Sequence, residues 1–331
     1  NADRRLQARC ADWSPALQIT KWKRNGDDWI CEQGETAAAE DRLSSIYSAM
    51  VLGLRDYIDK NHFPGVLIGM SGGVDSALTA AVAVDALGAD RVHCVMMPSP
   101  YTSAESLTDA SAATELLGCR LDEINIGQAM GAFDSMLSPL FDDAPADTTE
   151  ENIQARSRGL ALMALSNKTG AMVVSTGNKS EMSVGYATLY GDMCGGYSVL
   201  KDLYKTKVFE LCHWRNKNRP DTVLGPEGPV VPENIIAKPP TAELKHDQKD
   251  EDTLPPYDDL DAILTSLNEQ DLSIDDVVAQ GYDRELVLRV WRMLLGAEYK
   301  RRQAPPGVKI TGRSFGRDRR YPIVNSFRGK A

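Results

Sequence analysis

Six consecutive residues, Ser71-Gly72-Gly73-Val74-Asp75-Ser76, combine two hydroxyls, two glycines and one carboxylate. Hydroxyls and backbone amides donate hydrogen bonds, and glycines let the main chain approach a ligand closely. The segment therefore suits an anion with several oxygens. Asp75 is the informative exception: an acid beside phosphate is repulsive unless a cation lies between them. The chemistry implied is a polyphosphate together with Mg²⁺. The Gly-Lys-[Ser/Thr] ending of a Walker A loop is absent, so the phosphates would be held by a different arrangement.

Positioning these residues requires the elements on either side. Val66-Leu67-Ile68-Gly69-Met70 is a short apolar run that reads as a buried strand, and Leu78, Val82 and Leu87 mark one stripe of a helix over 77–87. A strand that turns through two glycines into a helix leaves the first-turn N–H groups without intrahelical partners. Further strands are expected at 91–97, 121–126 and 171–176, with helices at 41–60, 103–117, 128–138 and 150–168. Such alternation predicts an α/β fold, an open parallel sheet with helices on both faces in Rossmann-type layering. The loops starting at Ser71, Met97 and Thr176 leave strand ends and should converge on one ligand site. Thr148-Thr149-Glu150-Glu151 reads as a capping box. Residues 1–40 read as irregular, with strand-like pieces at 17–20 and 29–31. Residues 219–256 are rich in Pro, Gly and charge and read as a lid or a loop that orders on binding. Helices at 257–268, 273–280 and 283–302 close the chain.

Composition narrows the class. The 331 residues carry 37 basic and 47 acidic side chains, a net charge of −10, which disfavours nonspecific nucleic-acid binding. No apolar run reaches the length of a membrane span, so no membrane partner is expected. The six cysteines contain no CxxC pair and the four histidines are isolated, which fits reduced thiols in a cytoplasmic protein without a zinc site. An acidic stretch at 247–261 holds seven Asp or Glu, and the chain from Lys300 onward is basic; solvated surface is one reading of both. The first residue is Asn1 and no signal-peptide core follows, so the chain is expected to be an internal portion of a longer polypeptide.

The SGGxDS pattern resembles the PP-loop of ATP pyrophosphatases, enzymes that cut ATP between its α- and β-phosphates. Several downstream segments narrow the resemblance to one family, NAD synthetase. They are Glu150-Glu151-Asn152-Ile153-Gln154-Ala155-Arg156, Ser175-Thr176-Gly177-Asn178-Lys179-Ser180-Glu181, Tyr190-Gly191-Asp192, Lys238-Pro239-Pro240-Thr241-Ala242-Glu243-Leu244 and Glu298-Tyr299-Lys300-Arg301. They lie in register over residues 41–331. The proline-rich insertion and the wording from Val231 to Leu244 are similar to the glutamine-dependent branch, whose members carry an upstream nitrilase-like glutaminase domain with a Glu-Lys-Cys triad. Residues 1–40 are too few to bury such a core and would be a linker or the tail of that preceding domain.

The resemblance implies a carbon–nitrogen ligase. Deamido-NAD would be adenylated by ATP with loss of pyrophosphate, and ammonia, probed as such or drawn from glutamine, would displace AMP to give NAD. It assigns ATP to Ser71, Gly72, Gly73, Val74, Asp75, Ser76, Thr176, Lys205 and Thr241, with Lys205 and Thr241 reaching the phosphates from a closing loop. It assigns Mg²⁺ to Asp75 and Glu181, catalytic roles to Asp75 and Lys205, and deamido-NAD to Asn152, Arg156, Glu181 and Lys300. It also implies a homodimer or higher homo-oligomer. Between Leu189 and Asp202 the sequence departs from the ammonia-only branch, so contacts are not carried over there. Two other readings remain open at this level: a different PP-loop amidotransferase or tRNA thiolase, and a nucleotide-binding regulatory module without turnover.

Overall fold

A computed structural model describes residues 4–142, 144–245 and 250–324. Parts of the acidic stretch (247–249) and of the basic end (325–331) lie outside the described residues. Near the start, β1 (Trp22–Asn25) and β2 (Asp28–Cys31) form an antiparallel hairpin. The first strand lies later than the expected 17–20, because Gly26, at φ +65, makes the turn that pairs Trp22 with Cys31.

The remaining chain alternates as expected. It runs α1 (Arg42–Lys60), β3 (Val66–Gly69), α2 (Val74–Leu87), β4 (Val92–Met96), α3 (Ala104–Leu117), β5 (Arg120–Glu123), α4 (Gly127–Phe141), α5 (Thr148–Thr169) and β6 (Met172–Ser175). After β6 come α6 (Lys179–Val184), β7 (Tyr197–Ser198), α7 (Lys205–Lys217), α8 (Glu233–Ala237), α9 (Tyr257–Leu264), α10 (Ile274–Ala279), α11 (Arg284–Gly296) and α12 (Glu298–Arg301). The helix expected at 257–268 is α9 followed by a π-helical turn over Thr265–Glu269, and the one expected at 283–302 breaks at Ala297. The box that starts α5 is formed by Asp147 and Glu150 rather than by Thr148: Asp147 Oδ1 accepts the Thr149 amide at 2.7 Å, and Glu150 reaches back to the Asp147 amide at 2.8 Å.

Five parallel strands form one sheet in the order β5-β4-β3-β6-β7. The chain moves outward from β3 through β4 to β5, then returns to the other side of β3 to lay down β6. The switch point is therefore between β3 and β6, where a parallel sheet opens a crevice at its carboxyl edge. β3 and β6 are buried and built from Val, Leu, Ile and Met. Helix α2 is apolar on nearly every face and buried throughout, packed between the sheet, α1, α3 and α7. The start of α2 is consequently fixed in the interior rather than frayed at the surface. A separate apolar cluster joins α9, α10 and α11 beside α6.

Buried charge ties the helices together behind the sheet. Asp85 of α2 accepts two bonds from Arg215 of α7, at 2.7 and 3.0 Å, and one from Tyr47 Oη of α1 at 2.6 Å. Among the described residues no helix is long and apolar enough to cross a membrane.

Candidate active site

The SGGVDS segment spans the end of β3 and the start of α2, which begins at Val74, earlier than the expected position 77. Gly73 is the residue before the helix and offers no side-chain cap, so the amides of the first turn remain directed at the crevice. Gly72 adopts φ +80, and a Cβ there would be driven into the Ser106 carbonyl oxygen. Glycine is thus required twice over at this position, by backbone handedness and by space. The two serines brace the turn: Ser71 Oγ and Ser76 Oγ lie 3.1 Å apart, Gly73 N donates to Ser71 Oγ at 3.2 Å, and Ser76 Oγ donates to Gly73 O at 2.9 Å.

Asp75, on the first turn of α2, faces the β6 end. It accepts Asn178 Nδ2 at 2.9 Å and is paired with Lys205 Nζ. Lys205 also reaches Glu181 Oε1 at 3.4 Å and stands 5.2 Å from the centre of the Tyr257 ring. It is the first residue of α7, with its amide held by Ser180 Oγ at 2.9 Å. This corrects the expectation that it lies on a closing loop: its side chain is only 4% exposed, and the cation is built into the floor. Burial opposes its charge, but Asp75 and Glu181 outweigh burial and hold the ammonium above the ordinary lysine range. Glu181 is pushed up to about 8, first by burial and then by Asp75 and Asp250, with Lys205 acting against them. Asp250 lies in the acidic stretch read as solvated surface, yet it is buried, accepts Tyr257 Oη at 2.9 Å and Tyr186 Oη at 3.3 Å, and is raised chiefly by burial.

Three acids around one ammonium leave a site short of positive charge. Among the described residues no cluster of three His, Cys, Asp or Glu has metal-binding geometry. The donor set still fits a phosphate-bridging Mg²⁺, because that ion commonly takes one or two carboxylates and completes its shell with phosphate oxygens and water. Asp75 and Glu181, the two acids paired with Lys205, are the carboxylates that would hold it.

A cavity of about 290 Å³ opens in front of this group. Its walls include every ATP-assigned residue, namely the loop from Ser71 to Ser76, Thr176, Lys205 and Thr241, together with Glu181. The loops leaving β3, β4 and β6 do converge, since Met97 lines the same space. Asn152, Arg156 and Lys300 are placed differently. Asn152 Oδ1 accepts Thr188 Oγ1 at 2.9 Å, Arg156 Nε donates to Leu189 O at 3.3 Å, and Lys300 Nζ donates to Gly185 O and Ala187 O at 2.7 and 2.6 Å. All three brace the turn over 185–189, and none of them lines the first cavity, although Tyr186 and Ala187 of that turn do. Arg156 lines a second cavity of about 460 Å³, with Phe133, Leu137, Leu160, Met163 and Tyr190. Gly159 and Cys194 form part of both walls, so the two cavities adjoin.

Several residues of this neighbourhood carried no role in the sequence. Asn178 caps α6 and is readable as an Asn before a helix, but its bond to Asp75 spans 103 positions. Arg158, half-buried, donates to Met97 O at 3.0 Å inside the first cavity, and its guanidinium pKa is lowered by burial. Asp192, at the open wall of the same cavity, has its carboxyl pushed up to about 6 by the protein packed around it, opposed by the Thr188 amide and by Lys300, although its side chain remains exposed to solvent.

A parallel sheet whose switch-point loop carries SGGVDS defines a nucleotide-binding α/β protein of the PP-loop type. The NAD synthase family model matches residues 46–304, and the chain belongs to that family. It is 48% identical over its full length to a glutamine-dependent NAD(+) synthetase of Rhodobacter capsulatus, covering 60% of that protein. It is 52% identical over 89% of its length to one of Acinetobacter baylyi, covering 53% of it. Among solved structures, glutamine-dependent NAD+ synthetase from Acinetobacter baumannii in complex with ADP superposes with a TM-score of 0.60 at 49% identity, over 89% of this chain and 52% of that one. The chain thus spans little more than half the length of these curated relatives.

Proposed function

We propose that this chain forms NAD from deamido-NAD, ATP and ammonia, with release of AMP and pyrophosphate, as the synthetase part of a glutamine-dependent enzyme. The observation that carries this is the Lys205 ammonium held between Asp75 and Glu181 directly beside the SGGVDS loop. The arrangement is what a pyrophosphate leaving group demands. First-turn amides of α2 donate hydrogen bonds to the departing oxygens, and a buried cation that stays protonated offsets charge as the α–β bond breaks. Asp75 and Glu181 would hold a Mg²⁺, which would supply further positive charge against the phosphates.

The remaining steps need alignment rather than a protein nucleophile. The nicotinate carboxylate attacks the α-phosphorus, so its oxygen becomes part of a good leaving group, and ammonia then attacks the activated carbonyl. Ser71, Gly73 and Ser76 position the phosphates, and Thr176 and Thr241 face them from the β6 end and from the segment across the cavity. Deamido-NAD would occupy the adjoining cavity with Arg156, over the turn that Asn152 and Lys300 hold, and its carboxylate would enter past Gly159 and Cys194. Confining the mixed anhydride between two walls excludes water that would hydrolyse it.

The same reading supports a homodimer or higher homo-oligomer. Leu140 of α4 and Leu160 of α5 are 77% and 65% exposed; Met136, also on α4, and Tyr190, which shares the second cavity with Leu160, are similarly uncovered. A second copy would cover them and close the cavity that holds Arg156. Six free thiols and the need for ATP support a cytoplasmic site of action. The reading is tested by supplying Mg²⁺, ATP, ammonium and deamido-NAD: pyrophosphate must appear only when deamido-NAD is present, and a deamido-NAD-independent release would overturn it.

A further inference from the structure

The segment 238–244 carries Thr241 across the rim of the first cavity and ends against the start of α3. Its anchor is Glu243. The Glu243 carboxylate accepts Ser103 Oγ at 2.7 Å, Ser106 Oγ at 2.8 Å and the Ser103 amide at 3.3 Å. Glu243 also holds φ +47, a left-handed conformation that a residue with a side chain keeps only when its surroundings enforce it. Lys238 donates to the same Ser106 Oγ at 2.7 Å, and Leu244 O accepts Gln154 Nε2 of α5 at 2.8 Å.

Ser106 links this clasp to the phosphate loop. It is buried, and its backbone carbonyl is the atom against which Gly72 is packed. One residue therefore receives both charged side chains of the crossing segment and forms the wall behind the SGGVDS turn. We propose that Glu243 is a positioning residue for ATP: it latches segment 238–244 onto Ser103 and Ser106, and so holds Thr241 over the phosphate loop. The latch rests on the ATP reading of the first cavity, not on the identity of the acceptor substrate. When the latch opens, binding weakens in proportion to the lost fraction of closed molecules.

The test uses the chain as it stands, with Glu243→Ala, Glu243→Gln, Ser103→Ala and the Glu243→Ala/Ser103→Ala double variant. ATP affinity is read by calorimetry, and amide hydrogen exchange is followed in peptides covering 238–245 and 66–87. For Glu243→Ala, ATP binding should weaken about tenfold or more, with faster exchange in 238–245 and unchanged exchange in 66–87. Glu243→Gln, which keeps one acceptor oxygen, should recover part of the affinity. The double variant should lose less than the sum of the two single changes, because both remove the Ser103–Glu243 bond, while Ser103 Oγ also caps the Ser106 amide at the start of α3. Where turnover is measured, KM for ATP should rise while kcat at saturating ATP and KM for deamido-NAD stay within about twofold. Unchanged ATP affinity in Glu243→Ala, additive losses in the double variant, or exchange rising equally in 66–87 would each overturn the latch. Failure of the NAD-forming reaction alone would leave the calorimetry and exchange results to decide it.

Discussion

Asn178 Nδ2 lies 2.9 Å from Asp75 Oδ1, so the two strands that flank the switch point deliver their site residues to one shared bond. Asn178 supplies this donor from the cap of α6 while Lys205 holds the other side of the same carboxylate. Asp75 is thereby aimed, with no freedom to turn away from the phosphate loop. Because Glu181 also contacts Lys205, the buried ammonium retains a partner when Asp75 is altered.

Asp75→Asn should therefore fold, since the amide keeps the size of the group and Glu181 still faces Lys205. It should lower kcat for pyrophosphate release by about a hundredfold or more, the scale of losing a preorganised charge at a reacting phosphate. Asn178→Ala should cost less, about tenfold, because it loosens the acid without removing it. Steady-state pyrophosphate release by the two variants checks the order.

Gly72→Ala should lose both stability and ATP binding. The left-handed backbone at φ +80 costs a residue with a Cβ about 1–3 kcal/mol, and that Cβ also collides with the Ser106 carbonyl. Gly73→Ala is the contrasting case. Gly73 has φ −94 and would place its Cβ 3.3 Å from Ser71 Oγ, so it should fold with a smaller penalty. Urea unfolding of the two variants side by side measures the difference.

Arg215→Met should destabilise the fold by about 3–5 kcal/mol, because it strands the fully buried Asp85 carboxylate with Tyr47 as its one side-chain donor among the described residues. The change is remote from the catalytic cavity. The unfolding midpoint should fall while KM for ATP in the folded protein stays near that of the unaltered chain.

Asp192 makes stability depend on pH in a defined direction. Its carboxyl is raised from 3.8 to about 6, so the folded state favours the neutral form. The contribution is fully present below the unfolded value and is lost as pH rises from about 4 through 6. Solvent reaches this side chain at the cavity wall, which reduces the size of the effect without changing its sign. Relative to the unaltered chain, Asp192→Asn should gain in melting temperature between pH 4 and pH 7, and thermal melts across that range check it.

Much of the frame was readable from local pattern. The strand before Ser71, the helix after it and the alternation up to β6 follow from short apolar runs and helical stripes, and they led to the parallel sheet. What escaped has physical reasons. β7 is two residues long and has no period to detect. The hairpin at 22–31 is set by the Gly26 turn rather than by the apolar Leu17 and Ile19, which are exposed. Asp250 resembled surface charge because its two tyrosine partners, Tyr186 and Tyr257, come from different segments. Lys205 was identified by family resemblance, whereas its burial depends on Asp75, 130 positions away. Glu243 lies in a motif that gives it no role by itself, since Ser103 and Ser106 reach it only in the folded chain.

In the proposed reaction the acceptor carboxylate itself attacks the α-phosphorus of ATP beside Asp75 and Lys205. Deamido-NAD labelled with heavy oxygen in both carboxylate positions tests it directly, with the products weighed by mass spectrometry after one turnover. One heavy oxygen is expected in AMP, one retained in the amide of NAD, and none in pyrophosphate. Unlabelled AMP, or ADP and orthophosphate in place of AMP and pyrophosphate, would contradict it.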